Sequence, residues 1–241
     1  MDFAEVRELQ AREPDGPTAN EYTSVFARGL VHKMNNLLTV FQGYTSLLLA
    51  DPDLKKSTTE ALQEIRKGAL ATNTLLDRAL NVSKRLSVDL VDLDLAQFAA
   101  GLRESIEKSL GTIPQLELGD QPNGRAIADA TQLRRALAAI VENAMHATES
   151  GGGIVIEWSR HSRRDTPMHI VSVLDNGPGI QPEHLGEVWE PFFSRKKERG
   201  CLGLGLALVR HIAKSTGMET ALATSPGVGT RVDLRLLASG G

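Results

Sequence analysis

From Glu21 to Ala50 no proline interrupts the chain, and Leu30, Met34, Leu37, Phe41, Tyr44 and Leu48 recur at alternating spacings of four and three. That rhythm is the apolar seam of a coiled coil or helix bundle, so it predicts one long helix. Asp51-Pro52-Asp53 breaks it. Ser57 is placed to cap a second helix running to about Leu86, in which Leu62, Ile65, Ala69, Thr72, Leu76 and Ala79 repeat the seam. Two long helices joined by a short loop predict an antiparallel hairpin. A lone hairpin buries little, so a dimeric four-helix bundle is its natural completion.

Beyond the hairpin the period changes. Short apolar runs at Leu90–Leu93, Leu116–Leu118, Arg125–Ala128, Ile154–Ser159, His169–Leu174, Thr220–Ala223 and Arg231–Leu236 read as strands. Helical spacing returns at Ala96–Ser109, with Phe98, Leu102 and Ile106 on one face, and at Thr131–Ala147 and about Leu204–Thr216. Strands and helices mixed in this way predict an α+β sandwich. The expected organisation is a polar segment over 1–20, a helical hairpin over 21–87 and a sandwich domain over 88–241. Glu13-Pro-Asp-Gly-Pro17 marks the first segment as a breaker cluster, with no room for a recognisable sensor domain. The signal input is therefore expected to be missing from this stretch, supplied by another protein, or absent.

Composition narrows the classes. Apolar residues at 41% and charged residues at 24% are those of an ordinary globular protein. A net charge of −3 gives no general electrostatic case for nucleic acid or an anionic membrane as partner. One cysteine, Cys201, excludes an internal disulfide and sulfur-rich metal sites. No apolar run approaches the roughly 18 residues of a spanning helix, and the start lacks the order of a signal peptide. A cytoplasmic protein without a membrane span is the expectation.

Candidate chemistry lies in an ordered set of segments. These are the helix Leu137–Ala147 carrying Asn143, then Leu174-Asp-Asn-Gly-Pro-Gly-Ile180, Glu190-Pro-Phe-Phe-Ser-Arg-Lys196, Gly203-Leu-Gly205 and Ser225-Pro-Gly-Val-Gly-Thr230. Each alone has an ordinary explanation: a turn, a polar helix face, a packed aromatic pair, a solvated loop. Together and in this order they resemble the ATP-binding domain of sensor histidine kinases, within the superfamily that also holds gyrase and the heat-shock chaperones with this nucleotide fold. No Gly-x-x-x-x-Gly-Lys-Ser/Thr phosphate loop occurs. The helical stretch Val31-His-Lys-Met-Asn-Asn-Leu-Leu-Thr39 is similar to the phosphoacceptor motif of one histidine-kinase subgroup. His32 lies about 200° around the helix from Leu30, so it is expected to face solvent.

The resemblance implies ATP and Mg²⁺ as ligands. It implies that Asp175 recognises the adenine amine, with Gly177 and Gly179 letting the backbone approach the base and Thr230 near the same pocket. Asn143 corresponds to the asparagine whose oxygen binds Mg²⁺, which favours oxygen ligands and keeps several waters. Gly203 and Gly205 open a helix whose N–H groups suit phosphate oxygens. Phe192 and Phe193 correspond to the apolar foot of a mobile lid whose basic residues, Lys196 among them, meet the phosphates. His32 is the implied phosphate acceptor, and Asn36, one turn later, matches the position that positions water for dephosphorylating a partner. The implied partners are a second copy of the chain and the receiver domain of a response regulator.

Two departures matter. Lys33 stands where the family carries an acid beside the phosphoacceptor histidine, and Ala139 stands where some superfamily ATPases carry a water-activating glutamate, although Glu142 lies close by. The leading expectation is a histidine kinase core with slow autophosphorylation of His32. The alternative is an ATP-binding phosphorelay adaptor or response-regulator phosphatase with weak or no autokinase activity. A chaperone- or topoisomerase-like ATPase is disfavoured by Ala139 and by the hairpin. Cys201 reads as a spectator.

Overall fold

The computed structural model describes residues 21–52, 54–83, 86–113, 115–148, 152–163, 166–194 and 203–239. The chain divides into two compact units, one spanning 17–85 and one containing 86–241.

The first unit is a pair of packed helices, α1 (Glu21–Leu49) and α2 (Lys56–Ser83). The face of α1 turned to α2 is offset by one residue from the expected apolar seam. Val31 and Thr45 are buried there, and Asn35, Leu38, Gln42 and Leu49 are half-buried along the same stripe. Asn35 Oδ1 and Gln42 Nε2 are buried on it without a hydrogen bond among the described residues. The seam itself stays outward: Leu37, Phe41, Tyr44 and Leu48 are 49–67% exposed. On α2 the predicted stripe does face inward at Ala69 and Leu76, while Ile65 remains half exposed.

In the second unit, β1 (Val91–Asp94) pairs antiparallel with β3 (Arg125–Ala128) as a separate two-stranded ladder. The main sheet has five strands in the order β2-β4-β5-β7-β6. Its members are β2 (Leu116–Leu118), β4 (Ile154–Arg163), β5 (Thr166–Asp175), β6 (Glu219–Ser225) and β7 (Gly229–Leu237). Among the described strands only the β2–β4 pairing is parallel. Helices α3 (Leu95–Ala100), α4 (Leu102–Leu110), α5 (Ala130–Ala147) and α6 (Gly205–Thr216) share one core with the sheet. Val171 and Val173 of β5 and Val232, Leu234 and Leu236 of β7 enter that core, because alternate strand residues face the same side. This is the expected α+β architecture.

Local chemistry sets the element ends. The expected single helix over Ala96–Ser109 is two helices, since Gly101 interrupts it at φ −98°, ψ 5°. Asp129 caps α5 by accepting hydrogen bonds from Thr131 N and Gln132 N at 2.8 and 3.0 Å, and its second oxygen accepts from Asp89 N at 2.9 Å. A cap of this kind contributes about 1 kcal/mol. The β4–β5 hairpin runs longer than its apolar pattern, to the Arg163–Thr166 pair. The chain end closes onto the small ladder: Ala238 bridges Ala126, Ser239 N donates to Arg125 O, and the Ser239 hydroxyl donates to Asp92.

His169 is 4% exposed in β5, and its ring lies over Gly124, whose added Cβ would come within 2.8 Å of it. Burial, with a smaller contribution from the Arg160 charge, lowers its pKa below the usual 6.5. The unfolded chain therefore takes up this proton at a higher pH than the folded one. The stability His169 contributes is complete above about 6.5 and is lost as pH falls toward the lower folded value. Urea midpoints should drop from about pH 7.5 to about pH 5.5, and His169→Gln should flatten that slope. An unchanged slope in the variant would show that other groups set the acid limit.

Candidate functional site

The polar residues of interest lie where the core-facing rows of the sheet run out. Asp175 is the last residue of β5, in register with Ile154 on one side and Thr230 on the other. It extends by one step the row of Val171 and Val173, as Thr230 extends that of Val232 and Leu234. Two buried polar side chains thus sit side by side at one end of an apolar layer, each 7% exposed.

The loop after Asp175 turns back on itself. Gly177 N donates to Asp175 Oδ1 at 3.0 Å, and a Cβ on Gly177 would meet that oxygen at 2.9 Å and the Ala147 backbone at 3.2 Å. Gly179 has φ +67°, and a Cβ there would fall 2.1 Å from Ser225 O. Across this contact Gly227 N donates to Pro178 O at 2.8 Å, which joins the two glycine loops. Thr224 completes the join. Its hydroxyl accepts from Ile180 N at 2.9 Å, donates to Gly229 O at 2.7 Å and lies 3.2 Å from Thr230 Oγ1.

Asn143 lies on α5 one turn before Ala147. A Cβ on Gly205, the first residue of α6, would come within 2.5 Å of both Asn143 Oδ1 and Nδ2. Asn143 Nδ2 is buried and makes no hydrogen bond among the described residues. Among the described residues no side chain caps α6, so the first turn of that helix stands beside the amide. Gly203, at φ +64°, packs on Phe193 O, while Phe192 N donates to Gly203 O at 2.9 Å. Of the two phenylalanines only Phe193 packs on the core, with its ring 5.6 Å from that of His184; Phe192, at φ +68°, points outward.

One end of the sandwich therefore gathers Asn143, Asp175, Gly177, Gly179, Phe193, Gly203, Gly205 and Thr230. Lys196 and Cys201 lie outside the described residues. His32 and Asn36 lie in α1, on the other unit, and Asn36 is exposed. Thr224 was not expected, although its place just before Ser225-Pro-Gly was the signal for it. Nor was the pair Arg210–Glu190, joined at 3.2 Å. Arg210 is almost wholly buried, and its Nε and Nη2 make no hydrogen bond among the described residues.

This arrangement fits an anionic ligand with a hard cation. A buried amide lacks a partner, glycines leave room where a Cβ would collide, and a helix start offers N–H groups. No group of three or more His, Cys, Asp or Glu able to hold a metal occurs among the described residues. A cation here would rest on the Asn143 amide oxygen and on the ligand's own oxygens. That is adequate for Mg²⁺.

Fold and site together define an α+β sandwich with a polar end, and residues 128–239 match the model of the family described as histidine kinase-, DNA gyrase B-, and HSP90-like ATPase. Proteins named as sensor kinases are similar to this chain over a longer stretch. The sensor histidine kinase YkoH of Bacillus subtilis (strain 168) is 27% identical over 224 residues, covering 90% of this chain and 48% of YkoH. The chain thus spans about half the length of that relative. The crystal structure of full-length ShkA in complex with AMPPNP shares the fold, with a TM-score of 0.61 at 19% identity over 93% of this chain and 47% of ShkA. Histidine kinase ThkA, in complex with response regulator protein TrrA, gives 0.60 at 20% identity over 89% of this chain and 61% of ThkA. No helix among the described residues is long and apolar enough to cross a membrane.

Gly179→Ala should destabilise the second unit. The left-handed backbone alone costs about 1–2 kcal/mol for a residue with a Cβ, and the 2.1 Å approach to Ser225 O adds to it. Scanning calorimetry should record a fall of at least about 4 °C in the melting of this unit. An unshifted transition would mean that the two glycine loops are not joined as described.

Proposed function

We propose that this chain is the kinase core of a two-component system: it binds ATP with Mg²⁺ in its second unit, accepts the γ-phosphoryl group on His32, and passes it to an aspartate of a response-regulator receiver domain. The observation that carries this reading is the Asn143 amide, unpartnered among the described residues, against Gly205 at the start of α6, on the same domain as the buried Asp175–Thr230 pair. The histidine-kinase relatives, and the regulator bound to ThkA, support the rest.

Asp175 accepts the adenine amine at the inner end of the pocket, and Thr230 borders the same base. The first N–H groups of α6 receive phosphate oxygens, with the helix dipole favouring negative charge. Asn143 would hold the Mg²⁺ through its amide oxygen, and the ion would supply charge neutralisation at the phosphates. In transfer, a ring nitrogen of His32 forms a bond to the γ-phosphorus while the bond to the bridging oxygen breaks. ADP leaves, and the ring proton passes to solvent. Positioning and electrostatics carry most of such a step.

A second copy of the chain would cover the outward seam of α1. Leu37, Phe41, Tyr44 and Leu48 form a continuous apolar stripe of the kind a four-helix bundle encloses. Asn36 would orient water for dephosphorylating the regulator. The stimulus enters from a sensor not identified by these residues.

Lys33 sets the rate. An acid beside a phosphoacceptor histidine holds the proton of one ring nitrogen and leaves the other more nucleophilic. A protonated lysine has only donors and cannot do so. Single-turnover labelling with γ-labelled ATP should give slow incorporation that vanishes in His32→Gln and rises at least about tenfold in Lys33→Asp, a cautious part of the 10²–10⁴ range for proton transfer. Labelling that persists in His32→Gln would reassign the acceptor. No labelling in either wild type or Lys33→Asp, with ATP still bound, would favour the adaptor or phosphatase reading.

Asp175→Asn keeps the size of the side chain but removes a charged acceptor, and such hydrogen bonds contribute about 1.5–3 kcal/mol. Calorimetry should show ATP affinity reduced roughly ten- to a hundred-fold in a folded protein. Unchanged affinity would remove Asp175 from the adenine pocket.

A further inference from the structure

The main sheet lines up three oxygen-bearing side chains at one end. Thr230 of β7 is in register with Thr224 of β6 on one side and with Asp175 of β5 on the other. Across these strands the row reads hydroxyl, hydroxyl, carboxyl. Asp175 and Thr230 are the buried pair that ends the apolar layer, and Thr224 is half-buried beside them.

The partners of Thr224 fix the direction of the protons in this row. A hydroxyl has one proton to give and two lone pairs. Thr224 Oγ1 lies 2.7 Å from Gly229 O, and a carbonyl only accepts, so the Thr224 proton is committed there. Ile180 N, 2.9 Å away on the other glycine loop, only donates, so it occupies one lone pair. The third neighbour is Thr230 Oγ1 at 3.2 Å. With the Thr224 proton already placed, that hydrogen bond uses the proton of Thr230. It is the one hydrogen bond of the Thr230 hydroxyl among the described residues. Thr230 is left with lone pairs alone, and the carboxylate of Asp175 likewise has only acceptors. Two adjoining groups therefore call for the same thing, a ligand group with two N–H donors. A ligand oxygen in that place would meet lone pairs on both, and buried acceptors left unpaired are costly.

We infer that Thr224 is a positioning residue that holds Thr230 as a hydrogen-bond acceptor, and that this lock makes the site choose a 6-aminopurine nucleotide over a 6-oxopurine one. The inference rests on the ATP-binding reading above, with the base at Asp175 and Thr230, and adds to it a residue outside the ordered motifs. Thr224 acts on the base through Thr230. Without it the Thr230 proton is released and becomes available to a keto oxygen. The same Thr224 hydroxyl ties Ile180 to Gly229, so the lock is built from the contact that joins the two glycine loops.

The test is isothermal calorimetry of the full chain with Mg²⁺ and either ADP or inosine diphosphate, which carries a keto oxygen in place of the amine and a proton on N1. Diphosphates keep phosphoryl transfer out of the measurement. Wild type should bind ADP at least about tenfold more tightly. Thr224→Val keeps the shape and frees the Thr230 proton. It should narrow that preference about fivefold, as for one neutral hydrogen bond, even where looser loops weaken both nucleotides. Thr224→Ser restores the hydroxyl and should keep the wild-type preference within about twofold. A merely structural role for Thr224 would weaken both nucleotides by the same factor, and a preference unchanged in Thr224→Val overturns the inference. So does a wild type that binds the two nucleotides alike, because Thr230 would then not face the six-position as an acceptor. If Thr224→Val does not fold, Thr230→Val decides, since it leaves both backbone partners of Thr224 in place. A preference that stays at the wild-type value in Thr230→Val overturns the inference, and a narrowed one supports it. A wild type that binds neither nucleotide would instead sink the ATP reading itself, and the inference with it.

Discussion

The second unit depends on one close approach, that of Gly205 to the amide of Asn143. Helices α5 and α6 come together there with no space for a β-carbon, so the first turn of α6 stands beside a side chain instead of a wall of methyl groups. Everything that makes this end of the sandwich chemical follows from that contact. The amide is left buried with an unmet donor, and an uncapped helix start points its N–H groups at the same place. Burying polar groups without partners is costly. A site that keeps them in this state is stabilised by whatever ligand supplies the missing acceptors, so ligand binding and folding of this region are linked.

The glycine loops show a second form of the same constraint. Asp175 and Thr230 end apolar rows, and the chain must reverse immediately after the first of them without covering either. The reversal is held by the Thr224 hydroxyl, which touches Ile180, Gly229 and Thr230. One oxygen thus joins two backbone segments and a neighbouring hydroxyl. Valine at that position would match its shape and leave an N–H and a carbonyl without their partner.

Much of this was legible in the sequence because it is written in residue types that few other positions tolerate. The order Asn143, Asp175-Asn-Gly-Pro-Gly179, Gly203-Leu-Gly205 and Gly227-Val-Gly229 marks backbone positions that need a missing β-carbon, and the strands between them carry clear alternation. What escaped was written in weaker signals. The polar residues His161–Arg163 and Thr166 extend a hairpin by backbone pairing, which leaves no apolar trace. Gly101 breaks a helix whose apolar spacing continues across it. The inward face of α1 was displaced by one residue, because polar Asn35, Gln42 and Thr45 face α2 while the stronger apolar stripe stays outward. Periodicity finds the most apolar face of a helix, and within a single chain that face need not be the buried one. Arg210 and Glu190 are twenty positions apart, and no sequence pattern announces an ion pair at that distance.

The ladder of β1 and β3 has a consequence for topology. Ala238 and Ser239 return to Ala126, Arg125 and Asp92, so the described part of the second unit finishes where it starts, and its backbone traces nearly a closed loop. Joining those two ends through a short linker and opening the chain in an exposed turn would leave the order of strands in space unaltered. For this sandwich the order in which the backbone visits its strands is secondary, and the architecture belongs to the cycle.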